Sequence, residues 1–557
     1  MDLDSSTAAY RSILAQIIQD HSHDTEIIDK FTFAMDKRDG QLHATSQELV
    51  ELLHLCAENS EELLIVPDGI DECSDSSALV RNLAEIAAAA PVRLLFSSRY
   101  QVAPLARSIS SPQRLAVDRS MVSKDIRMYL LRRMEEFLED NLLPPDSECE
   151  EIVEHLQKGA DGMFLWAKLM VKYLECPAMT PAFRKRVILS VTMPEGLDAV
   201  YKRILSWIMQ GTSVQHNLAR GVLMWLLFAY CPLTAADLQQ ALDACVDTVT
   251  QEGDEHISHF SEAVLLACGG LIESCETRDT YSHWNMQINS TFHSEKSYRF
   301  CHLSVREFLM TAAAAKARVA SKESAEVQDL VPSRADANIE MCRSCVGYLL
   351  TSMPHRPLSS RLGVRTSETA IQTSFPFLIY AASFWIRHLL EMKNASSYSN
   401  NCQKSNYIES LSGLCSDLSR LTTNSFALME WVEAVYMPYD GRPDFVALRE
   451  WARWASSTLL GETHQSLVAD LEDLAAALNS LDTHWSLKLS ENPSIIWSEV
   501  PAWTPSRFWA KSTEFDIYSL APQSQQIPGL SSKYLCMTSE TSADASHVAV
   551  LSVWSSR

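Results

Sequence analysis

The chain has 557 residues, room for roughly three or four domains of about 150 residues each. Its 47 Lys and Arg stand against 70 Asp and Glu, a formal net charge of −23 that argues against binding nucleic acid or an anionic membrane, because phosphate recognition needs a basic footprint. With 46% hydrophobic and 21% charged residues the sequence can bury a sizeable core, and its 16 glycines are few enough to favour helices, where Gly is costly.

The first residues, Met1 to Ser6, are acidic and lack the apolar stretch of a secretory leader, so a cytoplasmic location is expected. Tyr10, Ile13, Leu14, Ile17 and Ile18 form a helical stripe, and Leu49, Leu52, Leu53 and Leu55 begin a second. The run Leu63-Leu64-Ile65-Val66 is short and continuously apolar, as in a strand covered on both faces, and Asp68-Gly69 breaks it. An Ala-rich helix from about Ser77 to Ala90 leads to a similar run, Val92 to Phe96. Strand, helix and strand in so short a span form a βαβ unit with parallel strands.

Beyond about residue 120, helical stripes dominate: Asp125–Leu138, Glu150–Leu156, Met163–Leu174, Leu197–Met209 and Leu218–Phe228. Thr234, with Asp237 three residues on, marks a capped helix start. Short strands at Gly270–Glu273 and Tyr298–His302, with a helix opening near Ser304, suggest a winged-helix layout. Polar Lys316–Asp336 reads as a helix end and linker. Helices return over residues 337–480, as in Phe377–Met392 and Ala447–Leu460. There Trp385, Trp431, Trp451 and Trp454 have the spacing of a core face, with a protein interface as the alternative. From about residue 490 Pro, Ser, Trp and β-branched residues take over, and Val548–Trp554 reads as a strand.

The longest apolar run, Val222 to Leu233, is shorter than the roughly 20 residues a membrane span needs, so no membrane insertion is expected. The 14 cysteines show no disulfide framework, and Cys342-Arg343-Ser344-Cys345 lacks a second pair to complete a metal site. No hydrolase signature of the Gly-x-Ser-x-Gly or His-Glu-x-x-His kind is present.

The strongest chemical signal is Asp68-Gly69-Ile70-Asp71-Glu72-Cys73. An acid that ends an apolar strand lies at the carboxyl edge of a parallel sheet, where open α/β folds bind ligands. In phosphoryl-transfer sites such an Asp holds Mg²⁺, and a following acid positions the attacking water. The alternative is a turn and a helix cap. The next strand ends in Ser97, Ser98 and Arg99, whose hydroxyls and guanidinium could sense a phosphate, although Arg99 would serve equally as a surface ion-pair partner.

These two segments resemble the Walker B and sensor strands of fungal NACHT-domain NTPases, members of the STAND (NOD-like receptor) class. The resemblance continues in order through Ser123–Leu130, Ala160–Ala167, Met193–Tyr201, Trp225–Leu238, Cys301–Leu309, Phe375–His388 and Trp431–Ala434, so it spans about residues 10–435. It implies an α/β start followed by a mainly α chain. The parts would be a partial P-loop NTPase sheet over residues 1–120, a helical domain over 121–215, a winged-helix domain over 216–315, a helical region over 337–480 and a β-rich start of a propeller-like domain over 490–557. The resemblance further implies Asp68 as the Mg²⁺ carboxylate, Asp71 and Glu72 as catalytic or water-positioning acids, and Arg99 and Ser98 at the phosphates. His302 matches a histidine that touches ADP, with a core histidine at a strand end as the other reading.

One departure is decisive for activity. No Gly-x-x-x-x-Gly-Lys-[Ser/Thr] occurs, so the phosphate cradle, its Lys and its Mg²⁺ hydroxyl are missing, and binding of ATP or ADP with Mg²⁺ is placed in doubt. The expected function is a NACHT/STAND-type regulator, truncated at both ends, that does not hydrolyse ATP and acts through protein partners or self-association. The alternatives are a fragment of an active ATPase switch whose P-loop lies upstream, and a helical scaffold protein.

Overall fold

The computed structural model describes residues 5–20, 29, 32, 44–60, 62–99, 114–176, 179–191, 196–244, 259–276, 296–316, 330–360, 366, 368–392, 401–437, 443–457, 464–509, 535–541 and 548–554. Most of these are helical, and the described strands form three separate two-stranded sheets. The chain divides into two compact units, Met1–Ile126 with Asp279–Ser290, and Arg127–Arg278 with Thr291–Arg557.

In the first unit, α1 (Ser6–Asp20) and α2 (Ser46–Asn59) precede β1 (Leu63–Ile65), a 3₁₀ turn at Ile70–Glu72, α3 (Ser76–Ala89) and β2 (Val92–Leu94). Helix α2 starts where Thr45 and Glu48 cap each other reciprocally, which satisfies two backbone donors that the first turn leaves over. Strands β1 and β2 are parallel, with Leu63 opposite Val92 and Ile65 opposite Leu94. The expected βαβ unit is therefore present. Tyr10, Leu14, Leu49, Leu53, Ile65, Leu83 and Ile86 meet in one core.

The expectation of strands covered on both faces is corrected. Ile65 and Val92 are buried, but Leu64, Val66 and Leu95 are 63%, 52% and 61% exposed. Side chains alternate along a strand, and the described helices cover only the face that carries Ile65 and Val92. A continuous apolar run was a poor guide here because it hides that alternation.

Helix α4 (Arg119–Glu139) leads into the second unit, followed by α5 (Cys149–Ala160), α6 (Phe164–Leu174), α7 (Pro181–Leu189) and α8 (Leu197–Met209). Buried Arg184 of α7 ties this group together: its guanidinium donates to the carbonyls of Leu174, Cys176 and Leu142 at 2.7, 2.7 and 3.2 Å. Next come α9 (Ser213–Phe228), α10 (Ala235–Asp243), α11 (Phe260–Ala267), the antiparallel pair β3 (Ile272–Glu276) and β4 (Lys296–Phe300), and α12 (Leu303–Lys316). Thr234 and Asp237 cap α10 reciprocally, as their spacing predicts. Among the described residues no helix is long and apolar enough to cross a membrane.

The remaining helices are α13 (Arg334–Thr351), α14 (Glu368–Ser374), α15 (Leu378–Glu391), α16 (Asn401–Thr423), α17 (Ser425–Val435), α18 (Val446–Ser456) and α19 (Gln465–Glu491). A 3₁₀ turn at Pro493–Trp497 and α20 (Glu499–Trp503) follow, so the expected β-rich stretch does not begin at 490. Its antiparallel strands lie further on, β5 (Leu535–Thr541) with β6 (Val548–Trp554). Residues 317–329 of the expected linker lie outside the described residues. The packing does not break on either side of them: Arg220 of α9 pairs with Glu340 of α13, and Tyr348 donates to Gln240 at 2.6 Å. Trp225 meets Phe377 edge to face, and Trp385, Trp431 and Trp451 are buried, which makes these aromatics core.

Candidate functional site

The loop between β1 and α3 carries four carboxylates, and the first question is what each already touches. Backbone bonds from Leu95 to Ile65 (3.1 Å) and from Ser97 to Pro67 (3.0 Å) prolong the parallel pairing past the ends of β1 and β2. The chain then turns at Gly69, whose φ of 69° lies in the left-handed region that glycine tolerates best. Ile70 donates to the Ser97 carbonyl at 3.1 Å and drops its side chain into the core. Asp68 is thereby left exposed at the carboxyl edge, as the sequence suggests.

Arg99 answers Asp71 twice. Its backbone N–H donates to Asp71 Oδ1 at 2.9 Å, and its Nε lies 3.3 Å from Oδ2. A second guanidinium nitrogen is 3.9 Å from Glu72 Oε1. The Ser98 hydroxyl turns back to the Arg99 carbonyl at 3.0 Å. The structure thus brings Asp71, Glu72 and Arg99 together in one ion-paired corner.

Asp75 was not singled out by the sequence, yet it makes the longest-range link in the loop. Both its oxygens accept from Ser6, one from the backbone N–H and one from the hydroxyl. Ser6 opens α1, so Asp75 supplies an acceptor and a negative charge to that helix N-terminus. Burial alone would raise the Asp75 pKa; the hydrogen bonds from Ser6 outweigh it and hold the carboxyl below its ordinary value.

His302 belongs to the second unit. Its Nδ1 accepts from the Ser304 backbone N–H at 3.1 Å and lies 2.7 Å from the Ser304 hydroxyl, which in turn is 2.7 Å from the Tyr201 hydroxyl. The ring lies at the start of α12 and is exposed.

A second acid pair, also missed, lies inside the helical region. Glu430 and Glu433 of α17 are both 1% exposed. Glu430 accepts from the His355 backbone N–H at 3.1 Å; Glu433 accepts from Leu358 N–H at 3.0 Å and from Trp497 Nε1 at 2.7 Å. Burial pushes Glu430 up to about 8, with the charge of Glu433 adding to the shift, and pushes Glu433 up to about 7. Nearby, His388 bridges Tyr380 at 2.9 Å and Asn338 at 2.7 Å, and burial lowers its pKa to about 3.

Mg²⁺ with a nucleoside triphosphate is the ligand that the motif suggests for the sheet edge. Such a site needs one or two carboxylates plus donors for the phosphates. Asp68 offers one carboxylate with no partner among the described residues, while Arg99 lies beside both Asp71 oxygens and beside Glu72. No group of three or more His, Cys, Asp or Glu among the described residues is placed to hold a metal.

Residues 2–99 match the protein family described as Nephrocystin 3, N-terminal, a region associated with NACHT-like proteins. No curated protein and no solved structure matches the chain.

Proposed function

We propose that the chain is a signalling regulator of the NACHT/STAND type that works through protein–protein contacts or self-association and does not itself turn over ATP. The observation that carries this reading is the Arg99 corner. The arginine expected at a phosphate lies beside the two acids expected to do catalysis, 3.3 Å from Asp71 and 3.9 Å from Glu72. The family match over residues 2–99 supports the NACHT-like origin of this edge. The parallel pair β1–β2 would be the remnant of the nucleotide-binding sheet. The hairpin β3–β4 with α9 to α12 would be a winged helix carrying His302.

The test is steady-state ATP hydrolysis by the purified chain with Mg²⁺. Turnover at the rate of free Mg·ATP, equal in wild type and Glu72→Gln, is the expected result. A kcat above that background and abolished by Glu72→Gln would overturn the proposal. A second reading, that these residues belong to a longer active switch, draws on exposed Asp68, which keeps a carboxylate ready for Mg²⁺. It requires that extension of the chain at its N-terminus create Mg²⁺-dependent nucleotide binding that Asp68→Asn removes.

A further inference from the structure

A cleft of about 910 Å³ opens in the second unit between α7, α8 and α11, with Tyr173 of α6 at one end. Its charge runs against that of the chain. In a protein of net charge −23 the lining carries Arg186, Lys202 and Arg203 and, among the described residues, no Asp or Glu. Helix periodicity explains how these groups converge. Val200, Tyr201, Ile204, Leu205 and Ile208 turn α8 into the core, which leaves Lys202 and the Arg203/Trp207 pair toward the cleft. On α7, Phe183 and Arg186 share a face, with the guanidinium 5.7 Å from the ring centroid.

The lining also carries exposed apolar side chains. Phe183 and Leu266 are 43% and 62% exposed, beside the partly buried Trp207. Exposed apolar side chains rimmed by charge mark interaction sites, and Trp, Tyr and Arg are the residues that dominate interface energies. Arg186 and Lys202 stand on the exposed rim, so the cleft lacks the desolvated, convergent charges that hold a compact anion. Three cations are also too small a footprint for nucleic acid on so acidic a chain.

We propose that this cleft docks an acidic segment of a protein partner. Its Asp or Glu side chains would pair with Arg186, Lys202 and Arg203, and an apolar side chain would pack among Trp207, Phe183 and Leu266. The proposal rests on the protein-contact reading above and names the partner's chemistry. Its failure is separable, because ATP turnover reports on the sheet edge and peptide binding on the cleft.

The experiment selects a phage-displayed random peptide library on the full chain and measures the enriched peptides by fluorescence polarisation against wild type, Arg186→Glu/Lys202→Glu and Leu266→Ser. All three substituted positions are exposed, and circular dichroism verifies folding. The expected peptides combine Asp or Glu with Leu, Phe or Trp, lose at least about tenfold in affinity on the charge-reversed variant, and bind more weakly as salt rises. Leu266→Ser should weaken binding while keeping the salt dependence. The proposal is overturned if no enriched peptide distinguishes the charge-reversed variant, if the enriched peptides lack acids, or if inorganic phosphate or ATP displaces them as effectively as a free acidic peptide does.

Discussion

The loop after β1 and the helix α17 each carry a set of acids, but the loop leaves Asp68 and Glu72 exposed while the helix buries Glu430 and Glu433. In the loop, Asp71 and Glu72 pair with a largely exposed arginine, and Asp75 reaches the first turn of α1. In α17, Glu430 and Glu433 are enclosed, and their oxygens collect backbone N–H groups from residues 355 and 358 and the Trp497 indole. Exposed pairs in water are worth little, whereas an enclosed acid must be hydrogen-bonded or neutral. The loop acids therefore position a surface corner, while the α17 acids clamp a segment and a 3₁₀ turn onto a helix. Acids near a recognised motif invite a catalytic reading, yet here the strongly shifted carboxyls lie far along the chain and do structural work.

Substitution at the clamp should have the largest effect. Trp497→Ala removes a fully buried indole and one donor to Glu433, at an expected cost of about 3–5 kcal/mol, read as a lower denaturation midpoint. A loss below about 1 kcal/mol would show that the 3₁₀ turn is not held by this contact.

The clamp also sets a pH dependence whose sign can be worked out. The folded chain keeps Glu430 and Glu433 protonated up to about 8 and about 7, whereas the unfolded chain releases both protons near the ordinary value of 4.5. Their contribution is complete below 4.5 and is lost as pH rises through 7 and 8. His388 acts in the opposite sense. Its folded pKa of about 3 lies below the ordinary 6.5, so its contribution is present above 6.5 and is lost as pH falls toward 3. The window from 6.5 to 8 therefore isolates the glutamates, which face His355 and Arg356 there. The melting temperature should fall across that window, and Glu430→Gln should flatten the slope. A melting temperature that rises from 6.5 to 8 contradicts the assignment.

Asp75→Ala should cost about 1 kcal/mol, the worth of a helix N-terminal acceptor, and should raise amide exchange at the start of α1 more than elsewhere. Arg99→Ala should be the mildest change, within about 1 kcal/mol, because the Arg99 side chain is itself 62% exposed. If it unfolds the first unit, the corner is structural in a way the geometry does not account for.

What was legible in the sequence was local. The Thr234–Asp237 cap and the helix Leu197–Met209 follow from signals within a few residues of each other, and the parallel pairing of the two apolar runs from one strand–helix–strand span. The placement of Asp68 at a strand end follows for the same reason. The rest depends on distant partners. Asp75 finds Ser6 from the other end of the unit, and Glu433 finds Leu358 and Trp497 from two remote segments. On a helix, Glu430 and Glu433 read as surface acids; only packing reveals them as enclosed. The exposed faces of β1 and β2 were hidden by a run in which inward and outward residues are equally apolar.

The most direct test of the account is calorimetric titration of the full chain with Mg·ATP and Mg·ADP, beside the Asp68→Asn variant. The account predicts no saturable heat from either nucleotide and no difference between the two proteins, because Arg99 lies beside Asp71 and Glu72 rather than free for a phosphate. Saturable binding that disappears in Asp68→Asn would contradict it and return the loop to the role its motif suggests.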